Sequence, residues 1–296
     1  MFPDFLPHDV HLLEHPDSIA LAKSIQRIDI PTSLSNREIP TAYVESGEGD
    51  APLLLLHGFD SSLLEYRHIY PLLAGQRETW ALDLLGFGFS DRPKHISYNP
   101  QTIKEHLYCF WRKMINRPVV IVASSMGGAT AIDFAVTYPD AIAKLVLMNS
   151  VGYSGSFYLG KLLVEPIDWL AVEFLRQRRV QALFWGKTFG LIDSKIEDVL
   201  RCATLPSQMP NWNVAIADFT RSGGYYGLAN KIPLITQPSL ILWGDRDEML
   251  GTAAAIEFEQ AIANSRLIWL PGVGHTPHWE QPKIVARLYF GAKLLV

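Results

Sequence analysis

Short runs of apolar residues recur along the chain and constrain its fold more than any other feature. Leu53–Leu56 is the clearest case, because four consecutive leucines follow a polar, glycine-containing turn. An uninterrupted apolar run of this length is typical of a strand buried on both faces of a sheet. Similar runs occupy Thr79–Asp83, Val119–Ala123, Lys144–Met148, Ser239–Trp243 and Arg266–Leu270, and Thr41–Glu45 alternates like a strand. Helix-length segments separate most of these runs, which predicts an α/β fold: a mostly parallel central sheet with helices on both faces.

The regular spacing breaks once, because about 90 residues separate the run that ends near Met148 from the run that starts at Ser239. We interpret the inserted segment as a helical cap over the carboxyl edge of the sheet, where open α/β sheets bind their ligands. The predicted organisation is a core of residues 1–150 and 234–296 with a cap at 151–233. Large apolar side chains, spaced as in amphipathic helices, occur in the cap at Phe157, Tyr158, Leu162, Leu163, Trp169, Phe174, Leu175, Phe184, Trp185 and Phe189.

Composition limits the classes of partner. The chain has 48% hydrophobic and 19% charged residues, which favours a globular protein over a disordered one. Its formal charge of −4 argues against a nucleic-acid partner held through phosphates. The amino-terminal residues do not resemble a secretory signal, and no apolar run is long enough for a membrane span. Cys109 and Cys202 could form at most one disulfide. We expect a cytoplasmic protein, and its oligomeric state stays open.

A serine lies where a strand is predicted to turn sharply into a helix. Ser125 follows the run 119–123 and precedes a helix-forming segment, with Ala123 and Gly127 as the small residues two positions to either side. Such a turn lifts the serine hydroxyl out of the backbone, where it can act as a nucleophile. Ser154 also lies between small residues, but no helix-forming segment follows it directly. We therefore favour Ser125.

Three further elements could complete a site for acyl transfer. The run 53–56 ends in His57-Gly58-Phe59, and the backbone N–H groups of Phe59 and Met126 would stabilise an oxyanion, with His57 in a structural role. The run 239–243 is followed by two acids, Asp245 and Asp247, of which one could orient a histidine. A loop after the last strand carries His275. The order Ser, Asp, His is the order that hydrolases of this architecture use.

With these motifs in place, the chain resembles the α/β-hydrolase superfamily, in its branch of capped esterases, lipases and related carbon-bond hydrolases. The resemblance covers nearly everything after about residue 38. It includes the serine turn and the His-Gly loop, together with Asp83–Ser90, the Trp-Gly-x-x-Asp motif at 243–247 and the Gly-His-x-Pro-His-x-Glu-x-Pro motif at 274–282. It implies a catalytic triad of Ser125, Asp247 and His275, with the acid at Asp247 rather than Asp245.

Several alternatives fit the residues less well. Epoxide hydrolases and haloalkane dehalogenases use a carboxylate where this chain has Ser125, and members with the acid after the sixth strand would need one where this chain has Asn149. A dinucleotide site at Gly86-Phe-Gly88 lacks its third glycine. Prolines bracket His8, His11 and His15, which favours a solvated segment over a metal site. We therefore expect neither a cofactor nor a metal.

The sequence predicts a serine hydrolase that cleaves carboxylic esters of a small apolar substrate through an acyl-enzyme. Cleavage of a carbon–carbon bond or of a thioester by the same triad remains an alternative, because the choice of leaving group depends on cap residues with no readable pattern. A second alternative is a ligand receptor that keeps the hydrolase fold and turns its ligand over slowly.

Overall fold

An eight-stranded sheet forms the centre of the protein. The computed structural model describes residues 1–157, 160–161, 168, 170–174, 176–177, 181 and 193–291. Its strands are β1 Gln26–Ile30, β2 Ile39–Ser46, β3 Leu53–Leu56, β4 Thr79–Leu82, β5 Val119–Ser124, β6 Ile142–Met148, β7 Ser239–Gly244 and β8 Ser265–Leu270. Their order across the sheet is β1-β2-β4-β3-β5-β6-β7-β8. The pairs β1–β2 and β2–β4 are antiparallel, and the pairs that join β4, β3, β5, β6, β7 and β8 are parallel.

Helices cover both faces of this sheet. They are α1 Pro16–Ser24, α2 Tyr70–Ala74, α3 Pro100–Met114, α4 Met126–Thr137, α5 Ser194–Thr204, α6 Trp212–Arg221, α7 Ala253–Ala261, α8 Pro277–Glu280 and α9 Pro282–Gly291. Short 3₁₀ helices occupy His8–Leu12, Leu63–Tyr66, Pro139–Ala141, Leu205–Gln208 and Leu228–Leu234. No helix of the described residues is both long and apolar enough to cross a bilayer.

The uninterrupted leucines of β3 show why the central strands are apolar throughout. Leu54 and Leu56 belong to one core and Leu53 and Leu55 to a second, because successive side chains point to opposite faces of a strand. Every residue of β3, β5 and β7 is buried. β8, one of the two edge strands of this sheet, instead exposes Arg266 and Trp269. The predicted fold class, a mostly parallel sheet with helices on both faces, is confirmed.

Among its described residues, the chain between β6 and β7 includes helical segments joined by turns and irregular stretches. It contains α5 and α6 and two of the 3₁₀ helices. Of the apolar residues that predicted a cap, Tyr158, Leu162, Leu163, Trp169, Leu175, Phe184, Trp185 and Phe189 lie outside the described residues. The division into a core and a cap at 151–233 stays a prediction. Cys109 and Cys202 are both free thiols.

Candidate active site

Ser125 occupies a strained turn between β5 and α4. Its φ of 50° and ψ of −119° lie in a region that non-glycine residues rarely adopt, so the surrounding packing must hold it there. Gly127 allows this turn to approach β3, since a Cβ at that position would lie 2.0 Å from the carbonyl oxygen of Leu56. The methyl group of Ala123 is fully buried within β5. The strand-turn-helix predicted around the serine is therefore present.

The structure brings Ser125, His275 and Asp247 together from three separate segments. His275 lies in the loop between β8 and α8, and its Nε2 is 3.0 Å from Ser125 Oγ. Its Nδ1 is 2.9 Å from Asp247 Oδ2. A carboxylate beside Nδ1 holds the proton on that nitrogen, which leaves Nε2 free to accept the proton of the serine. The arrangement can thus carry out general-base activation of a hydroxyl nucleophile.

Asp247 is held by donors on both of its oxygens. The backbone N–H groups of Met249 and Leu250 donate to Oδ1 over 2.8 and 3.0 Å. Asn149 Nδ2 donates to Oδ2 over 2.6 Å. Burial raises the pKa of this carboxyl group, but the hydrogen bonds from His275, Asn149 and Leu250 outweigh burial and lower the pKa to about 2. The group beside His275 is therefore an ionised carboxylate.

The competing candidates from the sequence lie elsewhere. Asp245 is exposed, and its Oδ1 accepts the N–H of Gly272 over 2.7 Å. Ser154 donates through Oγ to the carbonyl oxygen of Leu250 over 3.2 Å. The hydrogen bonds of His275 go to Ser125 and Asp247, whereas those of Asp245 and Ser154 stabilise loops.

The loop after β3, which carries Phe59, is anchored by a buried histidine. His57 is fully buried, and its Nε2 accepts the N–H of Leu84 over 3.1 Å. A nitrogen that accepts carries no proton, so Nδ1 is the protonated nitrogen and donates to the carbonyl oxygen of Gly58 over 2.8 Å. Both ring nitrogens are thereby engaged in holding the backbone, as expected of a structural histidine.

A cavity of about 650 Å³ opens beside Ser125 and His275. This volume lies within the range of small-molecule sites. Most of the large side chains in its wall are apolar, namely Phe59, Met126, Val151, Phe157, Phe219, Tyr225, Met249 and Leu250. The rings of Phe157 and Phe219 lie 4.6 and 5.7 Å from the ring of Phe59. Residues from the inserted segment therefore pack directly on the loop after β3.

The charged groups of the described cavity wall are acidic. Asp60 and Glu65 both line the cavity, and neither lysine nor arginine is present among its described lining residues. Asp60 Oδ1 accepts the indole N–H of Trp212 over 2.8 Å. The described part of the wall thus offers no lysine or arginine to pair with an anionic substrate.

The amino-terminal histidines do not share a site. The rings of His8 and His11 contact each other 5.5 Å apart, whereas His15 lies beside Asp17 and His68. His15 Nδ1 accepts the N–H of Asp17 at the start of α1, and Asp17 Oδ2 is 2.9 Å from His68 Nδ1. Within the described ranges, His15, Asp17 and His68 form the one group whose side chains are close enough to hold a metal ion. Their contacts with one another stabilise the start of α1.

Comparison with known proteins decides the family. A family model described as the alpha/beta hydrolase fold matches residues 51–282. The chain is 34% identical, over 97% of its length and 89% of the relative, to the Alpha/beta hydrolase domain-containing protein VTE7 of Arabidopsis thaliana. The chain belongs to the α/β-hydrolase family. The resemblance seen in its motifs is confirmed, and with it the expectation of a hydrolytic enzyme.

Other relatives of this α/β hydrolase carry names that point to different bonds. The 2-hydroxy-6-oxo-6-(2'-aminophenyl)hexa-2,4-dienoic acid hydrolase of Metapseudomonas resinovorans is 28% identical over 84% of this chain and 86% of that protein. Among solved structures, a thermophilic esterase from Thermogutta terrifontis matches with a TM-score of 0.73 and 24% identity, over 90% of this chain and 97% of that one. At that identity the match shows the fold.

Two polar side chains of this α/β hydrolase have positions that sequence reasoning did not anticipate. Asn149 cannot replace the acid, yet its amide donates to Asp247 and holds it in place. Glu65 belongs to none of the motifs, although it lines the cavity and accepts the N–H of Gly58. In the sequence, Asn149 is marked only by its position directly after a predicted strand. Glu65 is marked only by its position in the segment that follows the His-Gly loop.

Proposed function

We propose that this α/β hydrolase cleaves neutral carboxylic esters with an apolar acyl or alcohol part, through an acyl-enzyme on Ser125. The observation that carries the proposal is the continuous path of contacts from Ser125 Oγ through His275 to Asp247, at the wall of a mainly apolar cavity. An activated serine beside a bound ester carbonyl is suited to acyl transfer.

In the proposed reaction, His275 Nε2 takes the Ser125 proton as Oγ attacks the carbonyl carbon. The carbonyl oxygen becomes an oxyanion, which the backbone N–H groups of Phe59 and Met126 stabilise. His275 then gives its proton to the leaving alcohol, and the acyl group stays on Ser125. Water, deprotonated by the same imidazole, attacks the acyl-enzyme, and the proton returns to Ser125 as the carboxylic acid leaves.

Carbon–carbon cleavage is a second candidate, because one of the relatives is named as a hydrolase of a hexadienoic acid. A substrate of that kind carries a carboxylate. The described cavity wall holds Asp60 and Glu65 and no cationic side chain, so binding a carboxylate there would place like charges together. This electrostatic mismatch favours a neutral ester.

Labelling with an alkyl fluorophosphonate, followed by kinetics on p-nitrophenyl butyrate, tests the proposal. We expect labelling of Ser125 in the wild type, and a fall in kcat of about 10⁴-fold to 10⁶-fold for Ser125→Ala and for His275→Ala, because nucleophile and base act together. Ser154→Ala is the matched control and should keep wild-type activity. Unchanged hydrolysis by purified Ser125→Ala protein would exclude this nucleophile. Comparison with p-nitrophenyl hemisuccinate, which is anionic, tests the preference for neutral esters.

A further inference from the structure

Glu65 makes direct contact with the loop that carries the proposed oxyanion donor. It lies in the 3₁₀ helix Leu63–Tyr66, and its Oε2 accepts the N–H of Gly58 over 3.1 Å. Gly58 in turn lies against the nucleophile, since a Cβ at that position would be 3.4 Å from Ser125 Cβ and 3.6 Å from Glu65 Oε2. A shift of this loop by less than one ångström would therefore change the surroundings of Ser125.

Two successive peptide groups of the loop are each anchored by a different side chain. The peptide between His57 and Gly58 is held through its N–H by Glu65. The peptide between Gly58 and Phe59 is held through its carbonyl oxygen by Nδ1 of His57. In a planar trans peptide the C=O and N–H bonds point in opposite directions. Fixing the Gly58 carbonyl towards the buried His57 therefore fixes the Phe59 N–H on the other side of the loop.

The carboxylate of Glu65 is itself held in place. Its Oε1 lies 3.2 Å from Nε2 of His278, within ion-pair distance, although the angle is not that of a hydrogen bond. Burial raises the pKa of Glu65, and its polar neighbours, His278 first among them, lower it by more. An ionised carboxylate accepts a stronger hydrogen bond than a neutral group does. Gly58 is thus bound by a strong acceptor on a short, buried segment.

From this geometry we infer that Glu65 is a positioning residue of the oxyanion hole: its hydrogen bond to Gly58 fixes the loop so that the Phe59 N–H is ready for the developing charge. The inference rests on the proposed function, because an oxyanion forms only if Ser125 attacks a carbonyl. Glu65 does not exchange a proton with substrate in this role. Its effect should fall on the transition state, and substrate binding in the ground state should change little.

Two substitutions separate the hydrogen bond from the packing of the side chain. Glu65→Leu removes the acceptor and keeps a side chain of similar size, whereas Glu65→Gln keeps an oxygen that can accept from Gly58. Removing an oxyanion donor costs about 10² to 10³ in kcat, so we expect misplacing one to lower kcat about 10-fold to 100-fold in Glu65→Leu, with KM changed by less than about twofold. Glu65→Gln should stay within about threefold of wild type. The exposed Glu257→Leu serves as a control for loss of a carboxylate elsewhere.

A butylboronic acid provides a readout that a structural role would not affect. Its boron forms a bond with Ser125 Oγ and presents a boron-bound oxygen at the oxyanion position. Its affinity should weaken in Glu65→Leu by the same factor as kcat, while the affinity for the unreactive ether analogue of the ester stays unchanged. Titration with fluorophosphonate counts the folded sites in each variant. Wild-type kcat in Glu65→Leu, or equal weakening of boronate and ether, would overturn the inference, as would a Glu65→Gln variant as impaired as Glu65→Leu. Failure of the wild type to label or hydrolyse would instead overturn the proposed function.

Discussion

Asn149 donates a hydrogen bond of 2.6 Å from Nδ2 to Oδ2 of Asp247, the same oxygen that faces His275. The orientation of the Asn149 amide is fixed, because its Oδ1 accepts the backbone N–H of Gly244 over 3.2 Å. Nδ2 is therefore the atom that faces Asp247. The side chain thus links the end of β6 to the end of β7. It orients the carboxylate without adding a charge.

Replacing Asn149 by aspartate should weaken catalysis while leaving the backbone in place. Asn149 has a φ of 41°, a conformation that asparagine and aspartate tolerate better than most residues. In Asn149→Asp the donor to Asp247 is lost and a second carboxylate adjoins the first, so we expect kcat on p-nitrophenyl butyrate to fall by about 10-fold to 100-fold.

Asn116→Asp provides the matched control for this substitution. Asn116 has a φ of 50° and is exposed, so the same change of residue occurs in a similar backbone conformation without a carboxylate partner. It should keep wild-type kcat. Equal losses in the two variants would show that the backbone conformation, and not the contact with Asp247, explains the effect.

Asp247 and Asp245 should differ sharply when each is changed to asparagine. Asp247→Asn removes the carboxylate that holds the proton on His275 Nδ1, and kcat should fall by about 10⁴-fold. Asp245→Asn affects only an exposed hydrogen bond to Gly272, and we expect less than about a threefold change in kcat. Steady-state kinetics of the two purified variants would decide the matter, and the reverse ranking would assign the acid to Asp245.

The lowered pKa of Asp247 predicts a specific loss of stability in acid. Its pKa is about 2 in the folded protein against about 3.8 in an unfolded chain, so the unfolded state takes up a proton first as the pH falls. The stabilisation is complete above about pH 5 and decreases as the pH falls through 4 towards 2, by about 2 kcal/mol in total. Denaturant unfolding at several pH values should therefore show the free energies of wild type and Asp247→Asn converging in acid. A constant difference between the two would contradict the lowered pKa.

The length of the acyl chain should control the rate. Each methylene buried in the cavity adds up to about 0.8 kcal/mol of binding in the transition state, so kcat/KM should rise about threefold to fourfold per carbon until the cavity is full. A series of p-nitrophenyl esters from acetate to decanoate would show this rise, followed by a plateau or a fall. A maximum at acetate would show that the apolar side chains contact one another and leave room only for a small substrate.

A larger side chain at Ala203 should shorten the same cavity. It lies on α5 and lines the cavity, so Ala203→Phe would fill part of the volume. We expect the preferred ester to become shorter by at least two carbons, with activity on the acetate ester largely kept. Ala253→Phe, an exposed position on α7, should leave the preference unchanged. An unaltered chain-length profile in Ala203→Phe would place the acyl chain elsewhere.

The sequence predicted the parts of this fold that depend on local pattern. The runs at 53–56 and 239–243 were recognised because a strand buried on both faces needs apolar residues at every position. The sequence does not predict β1. Gln26–Ile30 is an edge strand that mixes polar and apolar residues, and it is a strand because it pairs with β2, not because of a pattern in its sequence. The cap boundaries at 151–233 stay a prediction.

In the candidate site, too, some residues are marked by local sequence patterns and others are not. Ser125 and His275 are the candidates that the sequence alone suggests, because each lies in a motif that is continuous along the chain. The contact between Asn149 and Asp247 joins residues 98 positions apart, and that between Gly58 and Glu65 depends on how a loop folds back on itself. Neither hydrogen bond is accompanied by a recognisable composition or periodicity in the sequence, so only the three-dimensional structure shows it.

The hydrogen bond between Ser125 and His275 spans 150 positions of the chain. During synthesis from the amino terminus, β5 and the serine turn can be complete long before β8 and the loop with His275 leave the ribosome. The proposed nucleophile therefore exists without its proposed base until 150 further residues have been synthesised. A nascent chain of this hydrolase should stay inactive towards esters until its last strand has joined the edge of the sheet, so esterase activity would report the completion of folding.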